Sequence, residues 1–207
     1  MYFFFFFSFV TIPLLLAQSV FIQPGKKYNQ YWEYGGKAIL LLGGSVEDNL
    51  FQIENLEEHL DLLVSVGGNY VRNTMSSRDE GNLWPFEKNE EGKYDLNTWN
   101  TAYWTKFENF LIQTAKRDII VQIEVWATFD FYRDNWNANP FNPKNNDNIN
   151  LERSKLATEV PTHPIFTQNN FFRSVPSQMA LAQVLRYQQM CVHKMLWYSL
   201  QFGNVWH

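Results

Sequence analysis

The chain has 207 residues, 45% of them hydrophobic and 17% aromatic, which is enough for one sizeable core. Seventeen basic residues against 21 acidic ones give a net charge of -4, and no basic stripe runs along the chain, so no nucleic-acid partner is expected. The single cysteine, Cys191, rules out an intrachain disulfide, and packing must supply the stability.

The opening segment, M-Y-F-F-F-F-F-S-F-V-T-I-P-L-L-L-A-Q-S, carries no charged side chain. An apolar run followed by Ala17-Gln18-Ser19 reads as a secretory signal peptide, residues 1–19, cleaved after Ala17 or Ser19. The run is short and broken by Pro13, which suits a signal better than a membrane anchor. The expectation is a secreted or periplasmic protein with no stable membrane association after cleavage. Residues 20–36 are turn-rich and aromatic, a lead-in or small hairpin. The main domain is expected over residues 37–207.

Ala38 to Leu42 is a short apolar run closed by Gly43-Gly44, which predicts a buried strand of parallel type. Asn55 stands three residues before Glu58, in capping-box spacing, and Leu56, Leu60, Leu63 and Val64 share one helical face. Gly67-Gly68 ends that helix, and Asn69 to Thr74 reads as the next strand. Strand, helix and strand with short connections make a right-handed βαβ unit.

Residues 75–96 read as loop, rich in Asp, Asn, Gly and Pro. A helix follows, with Trp104, Phe107, Leu111 and Ala115 on one side and Lys116 and Arg117 in its last turn, where they suit the helix dipole. Ile119 to Trp126 is the clearest strand: Ile119, Val121, Ile123 and Val125 form an aliphatic face, and the other face turns polar at Gln122 and Glu124. Residues 127–176 read as a long irregular stretch at the carboxyl end of that strand, where barrel enzymes carry binding loops. Gln178 to Leu200 predicts a long helix whose apolar stripe is interrupted by Gln188, and Asn204 to His207 begins a fourth strand.

The fold expected is α/β: about four parallel strands with helices, the amino-terminal half of a (β/α)8 barrel. A half-barrel leaves an open sheet edge, an expected route to self-association.

Arg72 and Glu124 fall on the same face of neighbouring strands and are expected to form one buried ion pair near the barrel mouth, since a buried charge needs a partner. Trp126, Asp130 and Tyr132, just past the strand end, suit sugar binding, with aromatic platforms around a carboxylate. The competing reading of those three is loop packing. His163 in the long loop and His207 at the fourth strand are candidates for lining the same cleft, whereas His59 and His193 fall at exposed helix positions. No H-E-x-x-H, phosphate loop, G-x-G-x-x-G or G-x-S-x-G occurs, and N-N-D-N-I-N lacks the Gly and Glu of a calcium loop. No metal and no cofactor is expected. Cys191 lies on an apolar stripe and reads as inert core.

The segments G-K-A-I-L-L-L-G-G-S, V-G-G-N-Y-V-R-N-T, D-I-I-V-Q-I-E-V-W and Y-S-L-Q-F-G-N-V occur in that order. From about Lys37 onward the chain resembles secreted cellulase-like glycoside hydrolases of the (β/α)8 clan, most of all their poorly characterised bacterial branch. The resemblance implies a carbohydrate partner and a supporting role for the strand-two arginine, here Arg72. It also implies a catalytic Glu after Asn at the end of strand four and a second Glu on strand seven. The sequence stops at N-V-W-H, so both carboxylates are expected beyond it and no residue here is assigned a catalytic role. A non-catalytic carbohydrate-binding or interaction module is the alternative expectation.

Overall fold

A computed structural model describes residues 21–163 and 169–206. The expected signal segment and His207 lie outside the described residues.

A parallel sheet organises the molecule. Its strands are β4 (Tyr70–Thr74), β7 (Ile120–Glu124) and β8 (Val205–Trp206), hydrogen-bonded in the order β4-β7-β8. Tyr70 pairs with Ile120, Arg72 with Gln122 and Thr74 with Glu124, while Gln122 pairs with Trp206. Alternation then gives each face its character. Val71, Val121, Ile123 and Val205 lie in one buried cluster with Leu56 and Leu60 of helix α1 (Leu56–Ser65). Tyr103, Trp104, Phe107, Phe110 and Leu111 of α2 (Thr101–Ala115) join the same cluster. The opposite face presents Tyr70, Arg72, Gln122 and Glu124, all at least partly exposed, and the Tyr70 hydroxyl donates to Gln122 Oε1.

The apolar run before Gly43 departs from expectation. Lys37–Ile39 is strand β3 of a small antiparallel sheet with β1 (Gln23–Pro24) and β2 (Trp32–Tyr34). Leu40 and Leu42 are 61% and 52% exposed, not buried. The hairpin takes up the backbone of the first half of the run, and only Gly43 bridges to Tyr70 in parallel fashion. A Cβ there would lie 1.9 Å from the Tyr70 carbonyl oxygen, so only glycine permits the approach. The small sheet meets the amino end of β8: Ile22 N–H donates to Gly203 O at 2.8 Å, and Trp32 packs on Trp206 with ring centres 4.5 Å apart.

Helix α2 is capped as its sequence permits, Asn100 Oδ1 accepting from the amides of Ala102 and Tyr103. Asn55 forms no side-chain cap bond, contrary to the capping-box expectation, and α1 is held by burial of Leu56 and Leu60 instead. The segment read as loop between residues 75 and 96 contains a hairpin, β5 (Phe86–Lys88) with β6 (Tyr94–Trp99). Its strands are short, and Phe86, Tyr94 and Leu96 bury into a second apolar cluster with Trp136, Phe141 and Phe171.

The long stretch after β7 is compactly ordered across its described residues. A 3-10 turn at Thr128–Phe131 precedes α3 (Arg133–Ala138) and α4 (Leu151–Ser154), and a second 3-10 turn covers Asn170–Arg173. Helix α5 (Ala182–Ser199) then buries Val184, Tyr187, Cys191 and Met195. Gln188, the break in its apolar stripe, is buried and satisfied: Nε2 donates to Phe171 O at 2.8 Å, and Oε1 accepts from Ser174. Among the described residues no helix is long and apolar enough to cross a membrane.

Candidate functional site

The carboxyl ends of the parallel strands gather the charged groups. Arg72 Nε lies 2.7 Å from Glu124 Oε1, so the expected pair forms. It is not buried: the side chains are 48% and 36% exposed, because the sheet face that carries them is open. An exposed pair contributes roughly 0–1 kcal/mol to stability. Holding the fold together is therefore a minor part of what this pair can do.

A second network lies beside the first. Arg78, in the loop after β4, places Nη2 2.5 Å from Asp48 Oδ2, in the loop after Gly43. The same guanidinium reaches Asp130 Oδ1 at 3.5 Å, in the turn after β7. Ser76 Oγ donates to that oxygen at 2.8 Å. One arginine thus ties the loops that follow three adjacent lines of the sheet. Asp48 O accepts from Thr74 N–H at 2.6 Å, and its carboxylate also acts on Arg72, so the two networks are contiguous. Buried Gln52 fixes the loop after β4 from below, donating to Ser76 O at 3.0 Å and Leu83 O at 3.1 Å.

Asp130 is 5% exposed. Burial raises its pKa, and the Ser76 and Arg78 contacts oppose but do not cancel that rise. Asp130 lines a cavity together with Met75, Trp84, Tyr103, Trp126 and Cys191. The cavity volume is about 40 Å³. One water needs on the order of 10–15 Å³, so this space suits a few waters and not a sugar ring.

Trp126 is half-buried, with Phe131, Phe141 and Phe171 edge-on at 6.2, 5.7 and 5.2 Å. Its remaining surface opens on a groove of about 310 Å³ shared with Phe172, Val175, Gln189, Val192 and His193. Tyr132 is 8% exposed and packs between Phe129 at 5.6 Å and His163 at 5.4 Å. The structure therefore brings Arg72, Glu124, Trp126, Asp130, Tyr132 and His163 to one end of the sheet, with Asp130 and Tyr132 facing inward. His193 is exposed, as read from the sequence. His59 is not: it is half-buried, and its Nε2 is enclosed without a hydrogen-bond partner among the described residues.

Sequence reading missed Asp48, Ser76, Arg78 and Phe129. The signal was present in S-S-R-D, which follows the strand N-Y-V-R-N-T at its carboxyl end. The positional rule applied to Trp126 and Asp130 selects Ser76 and Arg78 equally well. Among the described residues no cluster of three or more His, Cys, Asp or Glu side chains is placed to hold a metal ion.

No protein-family model matches the chain, and no curated protein matches it. Solved structures with partial likeness include a candidate glycoside hydrolase from Bacteroides vulgatus, at 16% identity and a TM-score of 0.43, covering 55% of this chain and 25% of that one. A β-mannanase from the blue mussel Mytilus edulis is similar at 13% identity and a TM-score of 0.40, over 90% of this chain and 62% of the mussel chain. The chain thus spans less than two thirds of the length of either structure.

Proposed function

We propose that the carboxyl-end rim of the parallel sheet binds saccharide, as part of a secreted, glycoside-hydrolase-like protein of the (β/α)8 type. The observation that carries this reading is the exposed Arg72–Glu124 pair on the open sheet face. It is contiguous with the Asp48–Arg78–Asp130 network, whose Arg78 guanidinium lies 5.6 Å from the centre of the Phe129 ring. A sugar offers hydroxyl groups to such charges and an apolar C–H face to such rings.

Glycosidic hydrolysis takes two carboxyl groups across the scissile bond, about 5 Å apart in retaining enzymes and about 6.5–9.5 Å in inverting ones. Glu124 is engaged with Arg72, and Asp130 is enclosed by Ser76 and Arg78. We assign both to binding and positioning, with the catalytic pair contributed from outside these residues. A purely carbohydrate-binding module is the second reading, favoured by the same engagement of both carboxylates. Turnover of a bound oligosaccharide when the catalytic pair is supplied separates the two, since a pure binding module has no such pair to complete it.

The test is calorimetric titration of the full chain with cellohexaose and with mannohexaose. Arg72→Ala is expected to weaken binding about tenfold, the loss of a charge-assisted hydrogen bond, while leaving the thermal midpoint nearly unchanged. Equal binding by wild type and variant removes Arg72 from the site.

A further inference from the structure

We infer that Phe129, rather than Trp126 or Tyr132, is the aromatic platform of a saccharide subsite on the rim. The sugar ring stacks on the solvent-exposed part of Phe129, with Arg78 and Asp48 at its border to receive hydroxyl groups. This rests on the saccharide reading above and adds the residue that receives the sugar and the chemistry of its subsite, a neutral pyranoside with a flat C–H face.

Phe129 is 58% exposed at the carboxyl end of β7. Leaving a phenylalanine ring in water forgoes the stabilisation that burial gives, and its turn holds it there nonetheless. The two residues that follow it, Asp130 and Phe131, are buried, and Asn135 Nδ2 donates to Phe129 O at 3.0 Å. The Arg78 guanidinium carbon lies 5.6 Å from the ring centre, a cation–π arrangement. Arg78 is itself held by Asp48 and Asp130. Tyr132 supports the ring at 5.6 Å and a tilt of 41°. The platform is therefore fixed before any ligand arrives, and little freedom is lost on binding.

The alternatives are less open. Trp126 has three aromatic neighbours edge-on, and Tyr132 is buried. Trp197 is more exposed, at 73%, but lies near the end of α5, outside the strand-end network. Around Phe129 the polar partners are within reach of solvent: the Asp48 and Arg78 side chains are 31% and 19% exposed. An aromatic face beside a fixed carboxylate and guanidinium matches both surfaces of a pyranoside.

The experiment is calorimetric titration of the full chain with cellohexaose and mannohexaose, on wild type, Phe129→Leu and Phe129→Trp. Leucine keeps apolar bulk and removes the ring face, so affinity is expected to fall about tenfold with an unchanged thermal midpoint. Tryptophan is expected to keep or strengthen binding. Wild-type binding that survives unchanged in Phe129→Leu overturns the platform and leaves the saccharide reading standing. A midpoint lowered by several degrees in Phe129→Leu also overturns it, by marking the ring as a packing element. Absence of binding by wild type to either hexaose overturns both.

Discussion

The layer from α1 to β7 and the segment from Phe129 to Asn150 are ordered by different means. In the first, Leu60, Val71, Phe107, Phe110, Leu111 and Val121 are fully enclosed, and periodic apolar side chains do the work. In the second, asparagine amides replace much of the regular backbone pairing. Asn142 Nδ2 donates to Trp136 O at 2.9 Å and Thr158 O at 3.0 Å. Asn146 Nδ2 donates to Pro140 O and Asn142 O, while its Oδ1 accepts from Asn148 N–H and Ile149 N–H. Asn139, Asn142 and Asn146 are almost wholly buried. Where a chain runs outside helices and strands it still has to pair its buried backbone groups, and side-chain amides, with two donors and an acceptor, can do so. A polar, loop-like composition is thus compatible with a fixed shape.

The largest loss of stability is expected from the apolar layer. Phe107→Ala is expected to cost about 3–5 kcal/mol. Chemical denaturation should show that loss as one cooperative shift of the whole protein. In the amide-built segment, Asn146→Ala strands buried donors and acceptors and is expected to cost about 1–3 kcal/mol. Hydrogen exchange should place that loss locally, around residues 139–150 and the β5–β6 hairpin. The hairpin is tied to the segment by Tyr94 N–H to Asn145 O and Leu96 N–H to Asn148 Oδ1. A uniform rise in exchange across α2 would erase the distinction.

The smallest effect is expected at Asp130, at the junction of the two regions. Asp130 has its folded-state pKa raised above the ordinary 3.8, chiefly by burial. A carboxyl with a raised folded pKa stabilises the fold while protonated, and that contribution is lost as pH rises through the folded pKa. Asp130→Asn mimics the protonated form. Its thermal midpoint relative to wild type should therefore improve from about pH 3.8 upward. A relative midpoint that falls over that range would mean that the Arg78 contact outweighs desolvation.

Much of the first region was legible in the sequence and little of the second. The strand around Val121 and Ile123, the helix through Trp104, Phe107 and Leu111, and the Arg72–Glu124 pairing all follow from period and register, which the chain displays openly. The exposed state of that pair did not follow, because exposure depends on which elements cover a face. Leu40 and Leu42 misled for a related reason: apolar character alone does not say whether a neighbour exists to bury it. The asparagines were visible, but their bonds run to carbonyls fixed only by the fold, such as Thr158 O for Asn142. The place of Arg78 after a strand was visible, but its partners, like those of Phe129, come from loops that follow different strands and meet only in space.

The most direct measurement is hydrogen exchange of the full chain with and without saturating cellohexaose or mannohexaose. Protection is expected to be confined to residues 46–49, 72–79 and 124–132, the loops joined by Arg72, Arg78 and their carboxylates. Protection located instead along α1 or the amino-terminal sheet, or no protection with either sugar, would contradict it.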